Sequence, residues 1–201
     1  MGKKRVIFAT KNQAKLKEIR AILGESNIEV VSMEEAGIDI EVEETGSTFE
    51  ENAMLKATKI MEITNDIVLA DDSGLEVDYL DKEPGIFSAR YAGENTPYKI
   101  KNKLIIDRLE GVEESKRTAR FVCVIAAAFL DGHVETTRGT IEGLIGYEEK
   151  GENGFGYDPI FYVPEYKMTT AEMPPEIKNR ISHRGKALRG MKSILEEFFA
   201  D

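Results

Sequence analysis

Cysteine is almost missing from this chain: Cys123 is the only one among 201 residues. That excludes an intrachain disulfide and any metal cage built from thiolates. Cys123 sits in the apolar run Phe121 to Phe129, which reads as the setting of a small buried hydrophobe. Histidine is scarce too. His133 and His183 are too few for a histidine-rich metal centre. Positive charge is in deficit, with 27 Lys and Arg against 37 Asp and Glu and a formal net charge of −10. This balance argues against bulk binding to a nucleic acid polymer, which needs a basic face. A nucleotide substrate stays open, because a few local lysines and a cation suffice to hold phosphates. No apolar stretch approaches the length of a membrane span. The basic start MGKKR leads into too short an apolar segment for a signal peptide. These absences predict a soluble, cytoplasmic, reduced protein. Repeats, low-complexity tracts and linkers are also lacking. The length suits one large domain or two small lobes, and 41% apolar residues supply a core.

Familiar catalytic templates are absent as well. There is no GxxxxGK[ST] loop and no GxGxxG, and no GxSxG nucleophile elbow. Ser73 has no histidine near it in sequence, which argues against a serine nucleophile.

What the chain does contain centres on the stretch from Ala70 to Gly93. Ile67 to Ala70 reads as a buried strand ending in two carboxylates, Asp71 and Asp72. Ser73-Gly74 breaks the pattern, and Leu75-Glu76-Val77 resumes it. Carboxylates at the end of a buried strand are costly to desolvate unless they meet a cation or a partner, and strand ends are where open α/β sheets place ligands. Asp-Ser-Gly is equally good turn chemistry, so an acidic turn and a site are both open.

Around this stretch the periodicity gives a strand at Arg5 to Thr10, a helix from Gln13 to Leu23 and a strand from Ile28 to Ser32. Thr10, Lys11 and Asn12 form the strand-to-helix turn. Lys15 falls in the first helical turn, facing an anion or simply exposed on an amphipathic helix. Glu41 to Gly46 reads as an acidic loop. A capping box at Ser47 or Thr48 starts a helix over about Phe49 to Ile63. At 100° per residue Phe49, Ala53, Ala57 and Ile60 make its apolar stripe. Lys56 falls near the middle of that stripe and Asn52 at its edge. Such a lysine either snorkels or meets an anion, a phosphate or a carboxylate near Asp72.

Further on, Thr96-Pro97 predicts a helix start with Thr as cap, and Ile100, Leu104, Ile105 and Leu109 as its buried face. Ala119 to Leu130 and Val134 to Ile145 read as two long strands joined at Asp131-Gly132, which makes the sheet mixed. Gly139, Gly143 and Gly146 in the second allow bends or close approach. Phe155, Gly156, Tyr157 and Asp158 lie in a glycine-rich aromatic segment. Its aromatics either stack on a planar base or fill the core. Lys178 follows a proline-marked start, and Ser182-His183-Arg184 precede a last helix from Lys186 to Phe199.

Lysines for phosphates, carboxylates for a hard cation and candidate base readers occur together. Oxygen ligands with retained water suit Mg²⁺ shared with substrate phosphates. The combination suggests metal-assisted attack by water on a nucleotide polyphosphate.

Five motifs over nearly the whole chain resemble the inosine triphosphate pyrophosphatase family. They are Ala9-Thr10-Lys11-Asn12 with Lys15; Glu43-Glu44-Thr45-Gly46 with Phe49 to Ala53 and Lys56-Ala57; Asp71 to Gly74 with Pro84-Gly85 and Ser88 to Tyr91; Phe155 to Pro159; and Ser182 to Arg184. The resemblance implies an α/β fold with a long mixed central sheet flanked by helices, two lobes around a nucleotide-binding cleft and a homodimer. It implies Mg²⁺-dependent hydrolysis of ITP, dITP or XTP to the monophosphate and pyrophosphate, a cleansing of the nucleotide pool. Asp72, Lys15 and Lys56 would be the catalytic group, with Asp72 as general base. Glu43 and Asp72 would hold the metal, with Glu44 close enough to compete for that role. Thr10, Lys11, Asn12 and Lys15 would hold the triphosphate, with Lys56 beside them. Ser73, Phe155, Gly156, Tyr157, Asp158, Lys178, His183 and Arg184 would contact the nucleotide. Many members carry glycine where this chain has Lys11, which leaves the role of that lysine open. A nucleotide-sensing protein that keeps the pocket without turnover is the alternative reading.

Overall fold

The computed structural model describes residues 4–24 and 27–200. The first three residues of the basic start read above lie outside them. In chain order the elements are β1 (Lys4–Phe8), α1 (Gln13–Leu23), β2 (Ile28–Ser32), α2 (Phe49–Thr64), β3 (Val68–Val77) and α3 (Tyr98–Arg108). Then come β4 (Thr118–Ala128), β5 (Val134–Ile145), β6 (Phe161–Val163), β7 (Met168–Thr169), α4 (Pro175–Ile181) and α5 (His183–Ala200). The described strands form one sheet in the order β2-β1-β3-β4-β5-β6-β7. β1 pairs in parallel with β2 and β3, whereas β5, β6 and β7 pair antiparallel. The mixed α/β class expected from the sequence is the one observed.

Two compact units divide the chain. The first takes its described residues from 1–72, Cys123–Gly139 and 183–201, the second from Ser73–Val122 and Thr140–Ser182. In the first, Val6 and Phe8 of β1, Leu69 of β3 and Cys123 and Ile125 of β4 pack with Ile19 and Leu23 of α1 and with Leu188, Met191 and Leu195 of α5. Burial pushes the Cys123 thiol up to about 12, which makes it an inert packing group. In the second, Leu75, Val77, Ile105, Leu109, Phe121, Ile160 and Phe161 form the core. No helix among the described residues is long and apolar enough to cross a membrane.

Local chemistry explains the element ends. Asn12 caps α1, its side-chain oxygen accepting from the N–H groups of Ala14 at 3.0 Å and Lys15 at 3.1 Å. Of the two expected caps for α2, Thr48 is the one used, accepting from Glu51 N–H at 3.1 Å. At its far end Asn65 takes the left-handed conformation, with φ 53°.

Three expectations are corrected. Asp71 to Gly74 are not a turn but lie within β3. An Asx turn needs the carboxylate to bind its own backbone, and both carboxylates are engaged instead by side chains of neighbouring elements. α3 starts at Tyr98 after Pro97, and the Thr96 hydroxyl donates to the Ala92 carbonyl rather than capping the helix. Its buried face is also rotated from the expected one. Ile105 and Leu109 are buried, but Ile100 and Leu104 are exposed, and Lys101 and Asn102 lie inside. Their donors have partners there: Lys101 Nζ donates to the Ala89 carbonyl, and Asn102 Nδ2 to Glu149 at 2.7 Å, while Asn102 Oδ1 accepts no hydrogen bond among the described residues. Finally, α5 begins at His183 rather than Lys186, so His183 and Arg184 belong to its first turn.

Gly139 on β5 permits the close approach of that first turn. A Cβ there would overlap the His183 carbonyl and lie 2.7 Å from Ala187 N. Gly139→Ala is expected to cost about 1–3 kcal/mol, measured by urea unfolding. An unchanged midpoint would show that the helix accommodates the methyl group.

Candidate active site

The first unit gathers a chain of charges at the carboxyl end of its parallel strands. β1 and β3 pair through Phe8 and Leu69, and Ala9 N–H donates to the Leu69 carbonyl at 2.7 Å. Both strands therefore deliver their next residues to one place: Thr10 to Asn12 and α1 from β1, and Asp71-Asp72 from β3. Successive side chains on a strand point to opposite faces. Asp71 follows Leu69 toward α1 and α5, and Asp72 follows Ala70 toward α2.

Asp71 is buried among cations. Lys15 Nζ lies 2.9 Å from its Oδ2, and Arg184 Nη2 donates to the same oxygen at 3.2 Å. Arg184 Nη1 donates to Glu18 Oε2 at 2.7 Å. Burial alone would raise the Asp71 pKa. Lys15, Arg184 and Lys56 outweigh it and hold the carboxyl well below the usual range.

Asp72 has the opposite environment. Burial, with a further push from the Glu44 charge, outweighs Lys56, Asn52 and Lys15, and the carboxyl is pushed up to about 6. Asn52 Nδ2 donates to Asp72 Oδ2 at 3.1 Å, while Asn52 Oδ1 accepts from Gly46 N–H at 2.8 Å. Asn52 and Lys56 are four apart on α2 and share a face. Lys56 is half-buried in its helix face, its side chain 14% exposed. Its ammonium donates to Glu44 Oε1 at 2.5 Å and to the Asp71 main-chain carbonyl at 2.7 Å. Burial would lower its pKa, but Asp71, Asp72 and Glu44 raise it, so Lys56 is firmly protonated.

The remaining first-unit residues are placed as follows. The Thr10 hydroxyl accepts from Asn12 N–H at 3.1 Å, so Thr10 and Asn12 both build the turn into α1. Lys11 pairs with Asp39 at 2.8 Å, both side chains largely exposed. The Asp39 hydrogen bond raises the Lys11 pKa. Glu43 is exposed, whereas Glu44 stands against Lys56 and its charge acts on Asp72. His183 is buried at the start of α5. Arg184, expected from the sequence to contact the nucleotide, directs two donors to Glu18 and Asp71 and is 2% exposed.

The second unit holds a separate group. Asp158 Oδ2 accepts from Phe155 N–H at 2.8 Å and from Lys178 Nζ at 2.6 Å, and Oδ1 accepts the Thr170 hydroxyl at 2.8 Å. Lys178 Nζ lies 5.0 Å from the Phe155 ring centroid. Gly154 and Gly156 adopt φ of 74° and 69°, and a Cβ on Gly154 would overlap Asp158. Tyr157 fills the core. Its hydroxyl donates to the Ser88 carbonyl at 2.8 Å and its ring meets Tyr98 edge-on. Of the two aromatics only Phe155 remains partly exposed. Ser73, on β3, is half-buried.

Sequence reasoning gave no role to Glu18 or Asn52. Their signals were positional: Glu18 lies three residues after Lys15, and Asn52 four before Lys56. Among the described residues no three or more His, Cys, Asp or Glu side chains form a group able to hold a metal ion. Asp72 and Glu44 supply carboxylate oxygens only, a donor type that fits Mg²⁺ completed by phosphate oxygens and water.

Residues 6–194 match the Ham1 family model. A dITP/XTP pyrophosphatase of Desulforamulus reducens is 50% identical over 195 residues, covering 97% of both chains. One from Bacillus subtilis is 45% identical over 193 residues, covering 96% of this chain and 98% of its own. Among solved structures, a HAM1 protein from Coxiella burnetii superposes with a TM-score of 0.87 at 41% identity, covering 96% of this chain and 99% of its own. A nucleoside-triphosphatase, dITP/XTP pyrophosphatase from Mycobacterium abscessus gives 0.74 at 37%, covering 93% and 98%.

The Asp72 environment has a signature in stability. Its folded pKa of about 6 lies above the unfolded value of about 3.9. The folded protein therefore binds more protons between those values. The resulting stabilisation is full below pH 4 and is lost as pH rises through 6, a swing of about 3 kcal/mol. In chelator, Asp72→Asn should gain stability relative to wild type as pH rises from 4 to 7, followed by urea unfolding. A constant difference across that range would contradict the assignment.

Proposed function

The chain belongs to the Ham1 family, and from that premise we propose that it is a nucleoside triphosphate pyrophosphatase acting on non-standard purine nucleotides such as ITP, dITP and XTP. Products are the nucleoside monophosphate and pyrophosphate. The observation that carries this reading is Asp72, a buried carboxylate with a pKa raised to about 6, within the charge field of the protonated Lys56, which is itself held by Glu44.

Asp72 takes the role of general base. A carboxylate that ionises near pH 6 is both substantially deprotonated at neutral pH and a stronger proton acceptor than a solvated one. Asn52 fixes its orientation. Mg²⁺, when bound, neutralises phosphate charge and polarises the phosphoryl centre. Asp72 and Glu44 are the residues that would hold it. Glu44 is preferred to Glu43 because its charge already acts on Asp72. Lys15 and Lys56 supply positive charge for the phosphates, with Thr10, Lys11 and Asn12 at the turn before α1. Ser73 and His183 are assigned to nucleotide contact on the family resemblance.

Base recognition is assigned to Lys178 and the segment Phe155 to Asp158. Hypoxanthine and xanthine carry a C6 oxygen that rewards a donor such as the Lys178 ammonium, whereas adenine offers an amino group there. The three hydrogen bonds into Asp158 make it the residue that orients Lys178 and the Phe155 backbone.

The protein is further proposed to be cytoplasmic, acting on free nucleotides with neither nucleic acid nor membrane as partner, and to form a homodimer. Ile100 and Leu104, four apart on α3 and both exposed, give the second unit an apolar strip suited to another copy.

Hydrolysis of ITP, XTP, GTP and ATP with Mg²⁺, resolving pyrophosphate from orthophosphate, tests the reading. Pyrophosphate from ITP and XTP at rates well above those for ATP and GTP is expected. Orthophosphate as the first product would indicate a phosphatase, and tight binding without turnover a sensor.

A further inference from the structure

We infer that Asp71 is the positioning residue for Lys15: a buried carboxylate, braced by Arg184 and Glu18, that fixes the Lys15 ammonium for the triphosphate. The inference rests on the reading of Lys15 as a phosphate-binding lysine.

The geometry is a closed circuit. Lys15 and Glu18 sit three apart on α1 and face the same way. Glu18 accepts from Arg184 Nη1 at 2.7 Å, Arg184 Nη2 reaches Asp71 Oδ2 at 3.2 Å, and that oxygen lies 2.9 Å from Lys15 Nζ. The path runs from α1 to α5, to β3 and back to α1. The planar guanidinium bridges two carboxylates at once, which an ammonium of single-point geometry does not do as well. Asp71 is thereby held from one side and holds Lys15 on the other.

Lys15 needs such a partner. Its side chain has four rotatable carbons, and its position in the first helical turn sets its charge against the helix dipole. Left alone it would favour extension into water. One hydrogen bond to Asp71 fixes the ammonium while two of its three donors stay available to an anion. The lysine side chain is 20% exposed and Asp71 is 1% exposed, so the anchor lies inside and only the lysine reaches the surface. Asp71 contributes a second constraint through its main chain, whose carbonyl accepts from Lys56 at 2.7 Å. That contact survives any side-chain substitution.

The test is a double-mutant cycle in steady-state kinetics with ITP and Mg²⁺, alongside calorimetric binding of inorganic tripolyphosphate. Asp71→Asn should raise KM about tenfold with kcat within about threefold, the pattern of lost ground-state binding. Lys15→Met should do the same. The double variant Lys15→Met/Asp71→Asn should match Lys15→Met within about twofold, because Asp71 acts through the lysine. Where Asp71→Asn alone fails to fold by circular dichroism, the double variant, which removes one charge of each sign, is compared with Lys15→Met. Wild-type kinetics for Asp71→Asn would overturn the inference. So would a kcat lowered more than about 100-fold at constant KM, or single effects that multiply in the double variant. A wild-type protein that neither binds tripolyphosphate nor releases pyrophosphate would instead remove the reading of Lys15 on which the inference stands.

Discussion

Alternation along one strand is the constraint on which the site depends. Asp71 and Asp72 are neighbours on β3, both shielded from water, yet the pleat sends them to opposite faces. One meets Lys15 and Arg184 and is kept ionised. The other meets Asn52, Lys56 and the Glu44 charge and is pushed toward neutrality. Two carboxylates in one environment would have repelled each other and titrated as a pair. Placed back to back, they separate into a firmly ionised anion and a carboxylate that titrates near pH 6, the one proposed as proton acceptor. This explains why β3 runs straight through Asp-Ser-Gly, a sequence well suited to a turn.

Lys56 ties the two faces together. Its ammonium reaches Glu44 and the main-chain carbonyl of Asp71 while its charge acts on Asp72. Desolvation of a lysine without such partners lowers its pKa. Here the surrounding carboxylates keep it charged, and the same charge limits how far Asp72 rises. The second unit repeats the idea on a smaller scale. Asp158 gathers a backbone N–H, a hydroxyl and Lys178, so the ammonium is set beside the Phe155 ring by a carboxylate with three donors.

Much of this was legible in the sequence, and the parts that were not have physical reasons. α1, β2 and β5 have the bounds that periodicity predicts, because their apolar residues follow one face or alternate. The half-buried position of Lys56 and its carboxylate partner followed from its place beside the stripe of Phe49, Ala53, Ala57 and Ile60. α3 misled because Lys101 and Asn102 are inside it, each with a polar partner that no periodicity reveals, and Ile100 and Leu104 are left outside. Arg184 stands beside His183 in the sequence, and its carboxylate partners, 113 and 166 residues away, are visible only in the fold. Glu43 and Glu44 are equivalent in sequence, and only the fold turns the second toward Lys56. Tyr157 and Phe155 read alike as aromatics between glycines, yet a hydroxyl bond to Ser88 draws Tyr157 into the core.

Water activation is proposed to run through Asp72, with Lys15 and Lys56 supplying the charge that holds the triphosphate. Single-turnover cleavage of ITP by Asp72→Asn, measured together with its ITP affinity, tests it most directly. Cleavage lowered by about a thousandfold or more at saturating ITP and Mg²⁺ is expected, with ITP affinity in the absence of Mg²⁺ within about threefold of wild type. Cleavage retained within about tenfold of wild type would contradict it, and the proton would have to leave by another group.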